Sequence, residues 1–298
     1  MHLLITGGTG FIGTPLCTMF TGTGHQVTVL SRDPARHIAR LPQVELVNNL
    51  EKVVTPIDVV INLAGKSLLE GRWNKQIKEE IRASRLQTTR RLHDWIATLP
   101  VAQRPRQLIS ASAIGYYGES GDTPLKESAP PGNDFAAQLC YDWENEALRI
   151  SALGLQVNLI RMGIVLERDG GALGHMLPAF RLGAGGRFGN GQHWMSWVHR
   201  EDVINMIAWL IEHGQPGAYN VTAPHPVINA TFVRALGAAL HRPTLLTLPP
   251  LALRLCFGEI ADVLLLSQRV KPGRALEGGY RFKHTDINAT LTSILRKD

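Results

Sequence analysis

Three glycines at intervals of three open the chemical possibilities of this chain. Gly7-Gly8-Thr9-Gly10-Phe11-Ile12-Gly13 follows directly on the apolar run His2-Leu3-Leu4-Ile5-Thr6 and leads into a helix-like stretch. A bound diphosphate needs that order. Gly7 lets the chain turn sharply off a strand, Gly10 lets bare backbone approach a pyrophosphate, and Gly13 lets the helix pack close to the sheet. Phe11 and Ile12 stand where the amides of the helix start face the anion, at the positive end of the helix dipole. A glycine turn alone is a weak signal that also serves purely structural turns. A strand before it and a helix after it make dinucleotide binding the better reading.

A second apolar run, Gln26-Val27-Thr28-Val29-Leu30, bears on which dinucleotide. Sites for NAD usually place an acidic residue at the end of this strand to hold the ribose 2′-OH. Here the strand ends in Ser31-Arg32, with Arg36 and His37 beyond. A guanidinium at that point pairs with a 2′-phosphate, so NADP is favoured over NAD. Asp33 is the competing acid, but Asp33-Pro34 also reads as a helix N-cap followed by proline at the first helical position. The plain alternative for Arg32 is a solvated loop charge.

The elements that must position these groups are those of a doubly wound α/β protein. Strands are expected at 2–6, 26–30, 44–47, 57–62, 106–110 and 155–161, with helices at 74–97 and 135–152 between them. Residues 169–197 contain eight of the chain's glycines and read as long loops over the strand ends, where such sheets bind ligands. After about residue 223, Pro224, Pro226, Pro243, Pro249 and Pro250 divide the chain into helical pieces. The division expected is a Rossmann-like domain with substrate loops over 1–222 and a smaller, mainly helical cap over 223–298. Leu251, Leu253, Leu255 and Val263 through Leu266 are read as the core of that cap.

The 298 residues allow this much structure, and 44% hydrophobic content is ordinary for a chain with a substantial core. A net charge of +6 suits phosphorylated ligands, but the charge is scattered without a basic run, which argues against a nucleic-acid face. Cys17, Cys140 and Cys256 are odd in number and far apart, so neither a disulfide framework nor a metal site is indicated. A reducing, cytoplasmic compartment fits best. No leader is expected ahead of a strand that starts at residue 2, and the apolar runs are too short for a membrane span.

Longer motifs extend the pattern. Asn62-Leu63-Ala64-Gly65, the serine-rich strand end before Tyr117-Gly118, Gly189-Asn190-Gly191-Gln192 through Trp197-Val198-His199-Arg200-Glu201-Asp202-Val203, and Gly217-Ala218-Tyr219-Asn220-Val221 together resemble the extended short-chain dehydrogenases/reductases. The resemblance spans roughly residues 1–222. Arg72-Trp73-Asn74, Ser84-Arg85-Leu86, Gly171 through Leu177 and the C-terminal segment narrow it to the atypical branch called epimerase family proteins, related to nucleotide-sugar epimerases. The resemblance implies a cofactor path past Leu63, Ala64 and Gly65 at the end of one strand. It also implies that the long helix bearing Glu80 and Arg85 lies behind the cofactor, and that backbone at Val165 passes close to the nicotinamide. Ordinary readings stand beside these: a turn for Gly65, a solvated helix face for Glu80 and Arg85, strand core for Val165.

The same resemblance fails at the catalytic residues. Members acting on sugars pair a Tyr with a Lys three intervening residues later, and none of the five tyrosines here has that partner. Ser112, at a strand end, and Tyr116 are the remaining candidates to handle a substrate oxygen. Aligning Tyr117-Gly118 with the family puts Ala113, not Ser112, at the usual hydroxyl position. Tyr117 and Tyr141 are further candidates; all three tyrosines, Tyr116 included, also suit packing, and a tyrosine without a nearby cation titrates near 10 and is a poor base at neutral pH. Cys140 reads as a buried small hydrophobe. His199 is a lone histidine and Asp202 a structural cap, while Arg181, Arg187 and His193 could meet an anionic substrate or be surface groups. The expectation is an NADP(H)-binding oxidoreductase or epimerase-like enzyme on a small polar substrate, a nucleotide sugar among the candidates. A non-catalytic NADP(H) sensor is the alternative. Substrate and oligomeric state are not legible.

Overall fold

A computed structural model describes residues 1–68 and 71–296, leaving aside the side chains of residues 256 and 257. Cys256 therefore lies outside the described side chains. Seven parallel strands form the central sheet: β1 (His2–Thr6), β2 (Gln26–Leu30), β3 (Glu45–Val47), β4 (Val59–Asn62), β5 (Gln107–Ala113), β6 (Gln156–Met162) and β7 (Gly217–Val221). Their spatial order is β7-β6-β5-β4-β1-β2-β3, so the chain reverses direction across the sheet between β1 and β4. That reversal is where a doubly wound sheet opens a crevice beyond its strand ends.

Burial on both faces explains why these strands are almost continuously apolar. Leu3 and Ile5 pack with Leu16 and Phe20 of α1 (Gly13–Gly22) and with Val203, Ile207 and Leu210 of α5 (Arg200–His213). Leu4 and Val60 point the other way, onto Leu92 and Ile96 of α2 (Lys75–Thr98) and Ala147 of α3 (Phe135–Leu148). The period of two along each strand thus divides helices between the two faces. Local signals set the helix starts: the Asn74 Oδ1 accepts from the Ile77 amide at 2.8 Å, and the Asp134 Oδ1 accepts from the Ala137 amide at 2.9 Å.

Four expectations need correction. Residues 169–197 are not simply loops: α4 (Gly171–Arg181) occupies their first part, burying Leu173, Leu177 and Phe180, and short strands follow. Apolar spacing outweighed glycine content there. Asp33 does accept from the Arg36 amide at 3.3 Å, yet 34–40 form turns, with no helix to cap. The helix expected over 135–152 ends at Leu148 and continues as a 3-10 turn to Leu153, stopped by left-handed Gly154. In the C-terminal segment Leu253 is buried, but Leu251 and Leu255, four apart on one face of α7 (Pro250–Phe257), are exposed.

The C-terminal segment is mainly helical and is tied back to the sheet domain. α6 (Asn229–Leu240) and α8 (Ile287–Arg296) share a core with α4 and Trp197. Short strands join it to earlier loops, Val227–Ile228 with Trp194–Met195, Leu246–Leu248 with Gly186–Phe188, and Arg269–Val270 with Pro124–Leu125. Among the described residues no helix is long and apolar enough to cross a membrane.

Candidate functional site

At the C-terminal ends of β1 and β4 the backbone is drawn into a tight cradle. Gly7 adopts φ +72°, and a Cβ placed on it would lie 2.8 Å from the Leu63 carbonyl. A Cβ on Gly13 would come within 2.2 Å of the Gly7 oxygen. These two glycines are therefore required by the protein's own packing. Gly10 differs. A Cβ there would meet only the Gly7 oxygen, at 3.2 Å, so its outer side is open space that the fold itself does not use. At the start of α1 the Thr14 amide bonds the Gly10 carbonyl at 3.0 Å and Pro15 has no N–H, so a diphosphate in that space would meet the amides of the turn just before, at Phe11 and Ile12.

Buried polar groups hold the cradle in place. The Thr6 hydroxyl donates to Asn62 Oδ1 at 2.7 Å and accepts from the Ala64 amide at 3.3 Å, while the Asn62 amide group reaches Thr89 at 3.0 Å and Ser110 at 3.2 Å. The Leu63 amide bonds the Thr6 carbonyl at 3.0 Å. Leu63, Ala64 and Gly65 thus leave the sheet beside the glycine turn. Phe11 caps the other side: its ring lies against Gly170 and Gly171, with the Arg200 guanidinium 4.8 Å from the ring centre. Arg200 also bonds the Phe11 carbonyl at 3.3 Å and pairs with Asp169 at 2.6 Å and Glu167 at 3.4 Å. Ile12 is half-buried before α1, and Val165 pairs with Val198 in a short parallel ladder beside the main sheet.

At the end of β2 the Ser31 side chain is buried and its hydroxyl accepts from the Asp33 amide at 3.3 Å. Arg32 is exposed and, among the described residues, forms no hydrogen bond or ion pair; Arg36 and Arg40 are exposed close behind it. Glu80 and Arg85 have local partners. Glu80 pairs with Lys66 at 2.5 Å, a contact that holds its carboxyl below the ordinary value. Arg85 donates to the Lys66 and Ile81 carbonyls, each at 3.0 Å, and lies over the Trp143 ring under Gly65. Its donors brace the loop after β4, and burial lowers its proton affinity.

Ser112 and Tyr116 surround a buried charge pair. Ser112 is 1% exposed, and its hydroxyl donates to Glu144 Oε1 at 2.6 Å. Arg161 grips both oxygens of the same carboxylate at 2.8 Å, then reaches the Tyr117 hydroxyl at 3.0 Å, which donates to Asn220 at 2.6 Å. Such a fork is the geometry that makes burying two charges tolerable. The expectation of a substrate-facing Ser112 thus meets a physical obstacle, because the hydroxyl is enclosed and already donated. Tyr116 is half-buried with the Arg161 guanidinium 3.5 Å from its ring centre. The cation missing from the sequence pattern is therefore present in space. Burial nonetheless raises the Tyr116 phenol above its ordinary value, Arg161 opposing, and pushes Tyr117 up to about 12.

Tyr141 is 43% exposed, so the packing expected of it is not found, whereas Cys140 is buried, which pushes its thiol up to about 12. His199 caps α5, its Nδ1 accepting from the Glu201 amide at 3.0 Å, and stacks on His284. Buried Asp202 accepts from the Lys283 and His284 amides at 2.8 and 2.9 Å, pinning the C-terminal segment to α5. Arg181 and Arg187 are exposed. His193 is buried, and that burial lowers its pKa, which favours the neutral imidazole.

Sequence reasoning missed Glu144, Arg161 and Asn220 as a unit. One signal was available: an arginine inside the apolar strand β6 cannot be buried without a carboxylate partner. Which carboxylate it takes depends on how α3 packs over the sheet.

This parallel sheet, with its glycine cradle at the strand-order reversal and a helical C-terminal segment, defines a dinucleotide-binding protein of the extended short-chain dehydrogenase/reductase class. The chain belongs to the NAD dependent epimerase/dehydratase family, whose model matches residues 3–222, and a domain of unknown function (DUF1731) matches residues 248–294. It is 38% identical over 304 residues to the chloroplastic epimerase family protein SDR39U1 homolog of Arabidopsis thaliana, covering 99% of this chain and 87% of that protein. The crystal structure of human epimerase family protein SDR39U1 (isoform 2) with NADPH matches with a TM-score of 0.91 and 34% identity over 100% of both chains. UDP-glucose 4-epimerase of Thermotoga maritima matches with a TM-score of 0.79 at 16% identity, covering 99% of this chain and 97% of that one, a likeness of fold alone.

Proposed function

We propose that this protein binds NADPH along the C-terminal edge of its sheet and is an oxidoreductase that reduces a small carbonyl compound. The observation that carries the reading is the pairing of an outward space at Gly10 with an exposed, unengaged Arg32 at the end of β2. Gly10 would leave room for the pyrophosphate, and Arg32, with Arg36 behind it, would hold the 2′-phosphate. Ser31 would fix the turn that presents Arg32. The NADPH in the human relative's structure supports the same choice. The cytoplasm is the compartment proposed from cysteine use, although the Arabidopsis relative is named chloroplastic.

When bound, NADPH supplies a hydride donor. The chain's part is then to orient the substrate oxygen and give it a proton. Tyr116 is the group proposed for this: its phenol carries a proton at neutral pH, and the Arg161 guanidinium 3.5 Å from its ring centre would offset the burial that opposes charge on the oxygen left after transfer. Arg161 and Glu144 would position Tyr116, with Ser112 acting through Glu144 and not on the substrate directly. A second reading, an NADPH sensor without turnover, is favoured by α3, which carries no lysine.

Titration calorimetry tests cofactor choice. Arg32→Ala should weaken NADPH binding by about 1.5–3 kcal/mol, the range for hydrogen bonds to a charged group, and leave NADH nearly unchanged. Equal wild-type affinities for the two cofactors would reject the assignment. Turnover separates enzyme from sensor: Tyr116→Phe should slow NADPH oxidation on a carbonyl substrate by about 10²-fold or more with NADPH affinity preserved. No oxidation by wild type across a broad carbonyl panel would favour the sensor.

A further inference from the structure

The turn that carries Tyr116 is joined to the C-terminal segment: Gln268 donates to the Ile114 and Gly118 carbonyls at 3.1 and 3.0 Å, and the Ser267 amide donates to Glu119 at 2.8 Å. Next to this junction lies a groove of about 540 Å³, walled by Phe188, Pro249, Pro250 and Leu265. Its volume is that of a small-molecule site. Asn190, Thr247 and His193 supply its polar lining. The Asn190 Oδ1 is taken by the Gln192 amide, at 2.9 Å. Among the described residues no lysine or arginine lines it. Arg187 is the cation at its rim, with Nε on the Thr247 hydroxyl at 3.0 Å.

His193 gives the groove its chemistry. The residue is 9% exposed; its Nε2 is enclosed, without a hydrogen-bond partner among the described residues, which leaves Nδ1 as the ring nitrogen open to a ligand. Burial lowers its pKa, and the charge acting on it is the Glu119 carboxylate. A nucleoside diphosphate is held by guanidinium forks, ammonium groups or helix N-termini. Here it would meet apolar walls with Arg187 at the rim, and its charges would lose more hydration than that contact restores.

We infer that this groove receives the non-reacting end of the substrate, and that this end is an uncharged apolar ring or chain bearing an oxygen for the His193 imidazole, not a nucleoside diphosphate. The inference rests on the reductase reading above and deepens it by naming the substrate class.

The probes are UDP and a panel of methyl ketones carrying phenyl, cyclohexyl or hexyl tails, titrated into full-length protein both cofactor-free and loaded with NADP⁺. At least one ketone should bind, and UDP should not at millimolar concentration. Leu265→Lys should weaken that ketone at least tenfold, and His193→Phe should weaken it further for ketones than for the matching hydrocarbons, both with unchanged NADPH affinity. UDP binding to wild type that is lost in Arg187→Ala would overturn the inference, as would a panel in which no ketone binds either form. NADPH affinity is measured in the same preparation, so its absence would sink the functional reading, whereas UDP binding would sink only the assignment of the groove.

Discussion

Gly10→Val is expected to abolish NADPH binding, to beyond the millimolar range by calorimetry, in a protein whose circular dichroism and urea unfolding midpoint match wild type. The expectation follows from what surrounds each glycine of the turn. A Cβ at Gly10 has one protein atom close to it, the Gly7 oxygen at 3.2 Å, a tight contact that a small backbone shift relieves, and the rest of the side chain would enter the space assigned to the pyrophosphate. The cost therefore falls on the ligand, which needs bare backbone there. Gly13→Ala is the contrasting control: its Cβ would sit 2.2 Å from the Gly7 oxygen and 2.6 Å from the Gly8 Cα, so this variant should lose stability whether or not cofactor is present. A folded Gly10→Val protein that still binds NADPH would mean the cofactor lies elsewhere.

Glu144→Ala should cost about 3–5 kcal/mol of folding stability by urea denaturation, because it strands the Arg161 guanidinium in the interior. Both side chains are only 5% exposed, and the carboxylate also holds Ser112. Lys126→Ala, which breaks the exposed pair with Glu277, should change stability by less than about 1 kcal/mol. Replacing both charges, Glu144→Leu with Arg161→Met, should recover much of the loss, since no ion then remains unpaired. A loss below 1 kcal/mol for Glu144→Ala alone would show that water reaches Arg161. The same variant bears on Tyr116, whose ring rests on Arg161: a disordered guanidinium should lower turnover more than it alters NADPH affinity.

The strands near the cradle were legible because they are local. β1 and β2 fall where apolar runs bounded by turn residues put them, and α2 begins after Asn74, whose side chain caps the helix. The glycine spacing was legible for the same reason, since a tight turn between strand and helix is specified within seven residues. Elements whose apolar periodicity was hidden by glycine, such as α4, were not. Nor was the exposure of Leu251 and Leu255, because composition reports how much apolar surface a segment has and not which face finds a partner.

By itself, then, the sequence determined the parallel sheet, the cradle at its first turn and a cationic group at the end of β2, all consequences of short-range periodicity and of residue types needed at fixed spacing. Only the tertiary structure decided what the chemistry-bearing side chains do. Ser112, Glu144, Arg161, Tyr117 and Asn220 come from five separate elements, and they meet because α3 packs across β5 and β6 while β7 closes the sheet edge. The physical reason is desolvation. A buried charge or hydroxyl must take whichever partner the packing brings within reach, and that choice is made by contacts tens of residues apart in the chain.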